Sequence, residues 1–139
     1  MARRTPPTGL RRALLAAACT LSLTAPMAHA QAQATVDLKK AAGLFATHCS
    51  ECHSVKEGKD KKGPSLFAVI GRKAGVVPGF VYSDALRQSG LVWSPAVLDR
   101  YIASPAGTVP GGKMKYDGLA EAPDRALVIA YLTSVSGPH

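Results

Sequence analysis

Apolar side chains recur with the 3.6-residue period of an α-helix in several short stretches, without the alternation expected of a half-buried strand. The pattern is clearest near the C-terminal end, where one apolar stripe follows Pro123: Leu127, Val128, Tyr131, Leu132 and Val135. Residues able to cap a helix precede three other segments, namely Asp37, Ser83 and Ser94. The sequence therefore predicts helices over residues 37–48, 83–89, 94–104 and 123–135.

Loops rich in glycine and proline separate these helices. Residues 56–64 are polar, residues 71–80 carry three glycines and a proline, and residues 105–119 carry four glycines and two prolines. We expect Pro105 to end the third helix and residues 65–71 to form only one turn of helix. A loop as long as 105–119 is uncommon in a compact domain unless something holds it. The prediction is an all-α fold in which short helices and long loops surround a large apolar object.

The first 30 residues have the composition of a secretory signal. They begin with an arginine-rich stretch, continue with the apolar run ALLAAACTLSLTA and end in the small-residue site AHA at 28–30. We expect cleavage near Ala30, export, and a single mature domain over residues 31–139. The apolar run is short for a membrane-spanning helix, so a retained anchor is the weaker interpretation. Acylation at Cys19 and twin-arginine export through Arg11–Arg12 are weaker still.

Cleavage would leave a moderately basic domain with few soft metal ligands. Four of the 17 lysines and arginines lie in the leader, which has no acid, so the remaining 13 exceed the nine acidic residues by four. This modest excess in an exported protein argues against nucleic acid as a partner. Cleavage also removes Cys19, Met1 and Met27, which leaves two cysteines, one methionine and three histidines.

The pentapeptide CSECH at residues 49–53 is the strongest chemical signal in the chain. A structural zinc site needs four ligands, and no second Cys or His pair follows. A thioredoxin-like pair needs a strand before it and a helix after it, whereas here a helix precedes and a charged loop follows. A disulfide between Cys49 and Cys52 would close a tiny loop and stabilise little. C-x-x-C-H is the attachment signature of c-type haem, and beside an export signal this interpretation is favoured.

The haem interpretation gives each residue of the motif a role. The two cysteines would add to the two haem vinyl groups, giving one haem c held by two thioethers, and His53 would ligate the iron. A second axial ligand must come from elsewhere. His48 lies too close to the attachment segment to reach the opposite face, and His139 is terminal. Met114, in the loop sequence VPGGKMKY, is the only methionine of the mature chain and is predicted to be that ligand.

Over about residues 37–135 the chain resembles a class I cytochrome c of the mitochondrial type and its small bacterial, periplasmic monohaem relatives. The resemblance rests on motifs in the order of that family: CSECH, GPSL at 63–66, GRKAG at 71–75, PGFVYSDA at 78–85, Trp93, Tyr101, PGGKM at 110–114 and IAYL at 129–132. It implies the class I cytochrome c fold, whose first and last helices would cross at Phe45 and Tyr131. Three positions depart from the family pattern, and none is an expected ligand: Ala41, Leu86 and Gly112.

The resemblance also implies which residues hold the haem in place. The Pro64 carbonyl would accept the second N–H of His53, which fixes the ring and makes it a more basic ligand. Tyr101 would point its hydroxyl at the sulfur of Met114. The propionates would be held by three further side chains, those of Arg72, Tyr82 and Trp93.

With both axial positions filled, the resemblance implies a one-electron carrier and not an enzyme. It would be periplasmic and monomeric, without stable membrane insertion after cleavage, and would cycle between Fe(II) and Fe(III). Two alternatives stay open: a haem subunit of a periplasmic dehydrogenase, and a peroxidase-like or gas-binding protein with an open distal site. The expected partners are redox proteins with acidic docking surfaces, such as quinol–cytochrome c reductase, a terminal oxidase or a dehydrogenase. They would meet lysines beside the haem edge, namely Lys61, Lys62, Lys113 and Lys115.

Overall fold

The computed structural model describes residues 36–137, and within that range the chain is helical without β-strands. The helices are α1 (Leu38–His48), α2 (Asp84–Gln88), α3 (Pro95–Ala103), α4 (Pro105–Thr108) and α5 (Ala122–Ser134). An isolated antiparallel bridge joins Lys73 to Val92. The predicted all-α fold of short helices and long loops is confirmed. The leader at 1–30, its cleavage site and His139 lie outside the described residues.

The predicted capping residues begin the first three helices. Asp37 accepts a hydrogen bond from the Lys40 backbone N–H at 3.0 Å. Ser83 and Ser94 accept the equivalent bonds at the starts of α2 and α3, each at 3.2 Å. Each bond satisfies a backbone donor that the first turn leaves without a partner. Within the described range no helix is long and apolar enough to cross a bilayer.

Two local predictions are wrong. Helix α3 ends directly before Pro105 as predicted, but residues 105–108 of the expected loop form the short helix α4, because the fixed φ of Pro105 suits the first helical position. Ser104, with an extended φ of −156°, separates the two helices and caps α4 by accepting from the Gly107 N–H at 3.3 Å. Residues 65–71 form separate turns instead of a turn of helix. Ala68 has a φ of 47° there, which a right-handed helix cannot contain.

The first and last helices pack against each other, as the resemblance implied. The rings of Phe45 on α1 and Tyr131 on α5 lie with centroids 5.1 Å apart. Ala41 and Val128 are completely buried. The methyl group of Ala41, one of the three positions that depart from the family pattern, therefore lies in the core. Helix α3 also packs against α5. Helices α3 and α5 form part of the wall of a cavity.

Candidate functional site

A deep apolar cavity brings together most of the residues that the sequence singled out. It holds about 1080 Å³ of empty space, counting the solvent at its mouth. A mostly apolar pocket with a few converging polar groups is the usual form of a cofactor site in proteins. The aliphatic wall of this cavity comes from the loop at residues 66–69 and from helices α3 and α5: Leu66, Val69, Leu98, Ile102, Val128 and Leu132. Protein interiors are otherwise close-packed, so an apolar cavity beside the core is a candidate site for a bound group.

His53 lies in the cavity wall with one ring nitrogen already engaged. Its Nδ1 lies 2.8 Å from the Pro64 carbonyl oxygen. A carbonyl only accepts, so Nδ1 carries the proton and Nε2 keeps a free lone pair. Burial is the main cause that lowers the pKa of His53, which favours the neutral ring. A neutral imidazole with one nitrogen fixed by a carbonyl is the form that ligates metals.

The Gly63 backbone packs closely against the His53 ring and limits its movement. A Cβ built on Gly63 would lie 2.3 Å from Cε1 and 2.8 Å from Nε2 of His53. The Gly63 N–H also donates to the Cys52 carbonyl oxygen at 2.8 Å, which ties the loop to the attachment segment. Only glycine allows the backbone to approach so closely. No role for Gly63 was predicted from the sequence, although its Gly-Pro pair signals a special backbone conformation.

The two cysteines of the motif form no disulfide in the structure. Cys49 contributes to the cavity wall, whereas Cys52 is partly buried and does not. Burial, reinforced by the Cys52 thiol, raises the pKa of Cys49 to about 11. Thiol redox centres have a lowered pKa, so Cys49 lacks the character of a thioredoxin-like nucleophile. Within residues 36–137, no three His, Cys, Asp or Glu side chains cluster as a metal site would require.

Met114 lies in the same cavity wall as His53 and is partly buried. Tyr101 lies there too and is buried, but its hydroxyl forms no hydrogen bond to Met114 within the part of the chain that the structure describes. Burial raises the pKa of Tyr101, which keeps the hydroxyl protonated as a donor. The Tyr101–Met114 contact therefore stays a prediction. His48 is not a wall residue; its Nδ1 lies 3.3 Å from the Tyr116 hydroxyl.

The three side chains assigned to the propionates all line the cavity. Arg72 donates to the carbonyl oxygens of Phe67 and Ser65 at 2.7 and 2.8 Å, which orients its guanidinium and leaves further N–H donors. Burial is the main cause that raises the pKa of the Tyr82 hydroxyl, and a hydrogen bond from the Val77 backbone acts in the opposite direction. The Trp93 indole N–H has no protein partner among the described residues and is not sealed off, because no enclosed side-chain N or O atom there lacks a partner. All three side chains therefore bring polar groups to the wall of one cavity.

Two departures from the family pattern have a structural explanation. Leu86 is partly buried and lines the cavity, so it adds to the apolar wall. Gly112 closes a turn in which its N–H donates to the Val109 carbonyl oxygen at 3.0 Å. A Cβ at Gly112 would lie 3.0 Å from that same oxygen. The turn therefore suits glycine better than a β-branched residue.

Comparison with known proteins bears directly on this site. The family model "Cytochrome c" matches residues 38–136, which include the attachment motif, the cavity wall and Met114. The chain belongs to the cytochrome c family. As in that family, one haem c is attached covalently through Cys49 and Cys52, and the protein is an electron carrier and not an enzyme.

Individual relatives of this cytochrome c cover the same region. Cytochrome c of Gibberella zeae is 46% identical over 97 residues, which are 69% of this chain and 92% of that protein. Cytochrome c2 iso-2 of Magnetospirillum fulvum is 51% identical over 87 residues, 63% of this chain and 91% of that protein. The solved structure of cytochrome cH from Methylobacterium extorquens superposes with a TM-score of 0.66 at 38% identity, covering 70% of this chain and 98% of that one.

The residues of the cavity fit a haem. The free Nε2 of His53 and the sulfur of Met114 supply one imidazole nitrogen and one thioether donor to the same apolar space. Polar atoms at Arg72, Tyr82 and Trp93 supply partners for carboxylates, while the remaining wall is largely aliphatic. The structure thus brings together every predicted site residue except Cys52 at one cavity.

Proposed function

We propose that this cytochrome c is a monomeric periplasmic carrier of single electrons in which His53 and Met114 are the axial ligands. One observation carries the proposal: both side chains line one apolar cavity, and the hydrogen bond to Pro64 leaves His53 Nε2 free. The haem supplies an iron that gains and loses one electron. His53 and Met114 would both hold that iron and would leave no position for a substrate. The aliphatic wall keeps water away from the iron, which helps to set its reduction potential.

Further side chains would position the group and its charges. The Pro64 carbonyl orients the His53 ring, and the protonated Tyr101 hydroxyl is a donor available to the Met114 sulfur. Arg72, Tyr82 and Trp93 would bind the propionates, and Leu86 would keep the neighbouring wall dry. Supporting this arrangement, Trp93 and Tyr101 pack with ring centroids 4.9 Å apart, so that each limits the movement of the other.

Export is the second part of the proposal. The arginine-rich and apolar stretches of residues 1–30 support it, as does the match of the family to residues 38–136 only. Bacterial relatives named cytochrome c2 and cytochrome cH are consistent with a bacterial exported protein. The alternative of a tightly held dehydrogenase subunit differs only in the lifetime of the complex. Purification from membrane-free periplasmic extract distinguishes the two, because a subunit would co-purify with its partner.

The mature protein is expected to have the mass of residues 31–139 plus one haem under denaturing conditions. The two thioethers survive unfolding, so the haem should not extract into acidic organic solvent. Cys49→Ser or Cys52→Ser should leave a single thioether or prevent maturation, and intact-mass spectrometry measures both. Extraction of the haem from the wild type would contradict covalent attachment. A mass that retains residues 1–30 would instead identify the leader as an anchor.

Lysines at the cavity mouth are the proposed docking surface. Lys62 and Lys113 line the cavity, and Lys61 and Lys115 are exposed nearby in sequence. Lys62 forms an ion pair with Glu51, and the Lys61 ammonium donates to the Ser50 carbonyl oxygen. The Lys62–Glu51 pair is locally neutral, so Lys62 contributes less to long-range attraction than the sequence suggested. Lys113 has no ion pair within residues 36–137 and is the cation of the cavity wall that we expect to matter most.

Electron transfer to an acidic redox partner should slow as salt rises. Physiological salt screens charges beyond about 8 Å, and steering of this kind raises association rates by ~10-fold or more. At low salt, Lys113→Glu should lower the second-order rate constant more than Lys62→Glu. Stopped-flow kinetics with quinol–cytochrome c reductase, a terminal oxidase or a periplasmic dehydrogenase measures this. The control is Lys39→Glu, an equal change of charge on α1 away from the cavity wall. A rate constant unchanged by salt would refute the docking surface but not the electron carrier.

A further inference from the structure

Backbone hydrogen bonds hold the segment that carries Met114 only at its two ends, and in its middle the Tyr116 hydroxyl lies 3.3 Å from Nδ1 of His48. Residues 113–118 form no backbone hydrogen bonds in the described structure. Before them, the Gly112 N–H donates to Val109, whose side chain is buried. After them, the Leu119 N–H donates to the Ile102 carbonyl oxygen at 3.0 Å, and the Leu119 side chain is buried as well. The position of Met114 therefore depends on these two anchors.

The second anchor lies directly on the end of α3. Gly118 has a φ of +116°, and a Cβ built on it would lie 2.2 Å from the Ala103 carbonyl oxygen. Both the left-handed backbone and the close approach require glycine. Residues 118–120, here called the distal anchor, thus contact the last residues of α3. Movement of Met114 away from the cavity would pull on this contact.

A single arginine binds the distal anchor to two helices. Arg125, in the first turns of α5, donates from Nη1 to the carbonyl oxygens of Leu119 and Ala120 at 3.0 and 2.6 Å. Its Nε donates to the Asp99 carboxylate on α3 at 2.7 Å. The Arg125 side chain is only 12% exposed. One guanidinium therefore joins α5, α3 and the distal anchor.

The carboxylate of Asp99 determines where that guanidinium points. The hydrogen bond from Nε to the charged carboxylate fixes the plane of the guanidinium. In that plane Nη1 donates to both carbonyl oxygens at once. The other two ion pairs of the described region have no comparably buried side chain. The side chains of Lys62–Glu51 and Arg87–Asp84 are all more than half exposed. Such exposed pairs contribute little to stability.

We propose that the Asp99–Arg125 pair positions Met114 by fastening the distal anchor to α3. The proposal rests on the proposed function, in which Met114 ligates the iron. Removing the carboxylate frees the guanidinium and weakens its hold on the Leu119 and Ala120 carbonyl oxygens. The segment at 113–118 then opens more often, and an external ligand reaches the iron more readily, because its apparent affinity follows the open fraction.

The test compares Asp99→Asn with the wild type as ferric holoproteins titrated with imidazole at fixed pH and salt. Hydrogen bonds to charged groups are strong enough that apparent imidazole affinity should rise roughly fivefold or more. In a guanidinium titration, the far-red sulfur-to-iron band should disappear before the helical circular-dichroism signal. Arg125→Lys keeps the charge but not the planar guanidinium, so its apparent imidazole affinity should lie between those of the wild type and Asp99→Asn. The control Asp84→Asn removes the exposed pair on α2 and should match the wild type.

The possible outcomes distinguish a failure of the proposal about Asp99 and Arg125 from a failure of the assignment of Met114 as a ligand. If Asp99→Asn lowers the helical and far-red midpoints equally and leaves imidazole affinity unchanged, the pair is merely structural and the proposal is overturned. The same holds if the variant behaves as the wild type. If the wild type itself lacks the far-red band and binds imidazole as tightly as Met114→Ala, the axial assignment fails, and this proposal fails with it.

Discussion

Met114→Ala is expected to abolish the far-red band of the ferric protein, lower the reduction potential and allow the ferrous protein to bind carbon monoxide. Alanine has no sulfur and is too short to reach the iron, so the distal position opens. Axial ligands move haem potentials over a span of about 0.8 V, and loss of the thioether should lower this one by on the order of 0.1 V or more. Optical spectroscopy, redox titration and carbon monoxide titration measure the three effects.

Met114→Leu is the matched variant because it keeps most of the side-chain volume while removing the sulfur. It should lose the band and gain carbon monoxide binding like the alanine variant, but with less loss of stability. Ile129→Ala shortens a buried side chain on α5 that does not line the cavity and should retain the band. Equal carbon monoxide binding by the wild type and Met114→Ala would show that the distal site is open. That result would revive the gas-binding and peroxidase-like alternatives.

Gly63→Ala is expected to give little holoprotein, because the new methyl group would occupy the space of the His53 ring. The methyl carbon would lie 2.3 Å from Cε1, and the ring cannot yield without losing its bond to Pro64. Overpacking costs about 1–3 kcal/mol, and the lost hydrogen bond adds about 1 kcal/mol. The yield of haem-bound protein, its denaturant midpoint and its low-spin spectrum measure the effect.

The control for this prediction is Gly43→Ala in α1. A Cβ there meets nothing within 4 Å and the backbone is helical. Alanine is favoured over glycine in a helix interior by about 1 kcal/mol, so this variant should be as stable as the wild type or more so. Wild-type stability and spectrum for Gly63→Ala would mean that the loop at 63–64 does not press on the ring, and the account of how His53 is oriented would be wrong.

Features that depend on adjacent residues could be predicted from the sequence. Asp37, Ser83 and Ser94 cap helices because a side-chain oxygen reaches a backbone N–H only three residues away. CSECH identified a haem site because one short segment must reach two vinyl groups and the metal. The motif order from CSECH to IAYL then predicted the cavity wall, including Arg72 and Trp93, before any distance was known.

Features that depend on distant or competing contacts needed the tertiary structure. The sequence has Lys62 and Glu51 11 positions apart and Arg125 and Asp99 26 apart, with nothing to signal either pair. Pro105 signalled the end of α3 in the sequence, but nothing there showed that it also begins α4, which depends on the extended backbone of Ser104. Gly63 is one of 13 glycines, and only the position of the His53 ring distinguishes it.

The sequence by itself determined the cofactor chemistry, the helices with their caps and the family, because these follow from bonding and hydrogen bonding within a few residues. Tertiary structure decided how that chemistry is held. The neutral His53 ring between Gly63 and Pro64, the neutralised Lys62, and the fastening of the Met114 segment to α3 through Arg125 all depend on close approach of distant segments. Such contacts form only when burial brings those segments together, since each alone is too weak to order the chain.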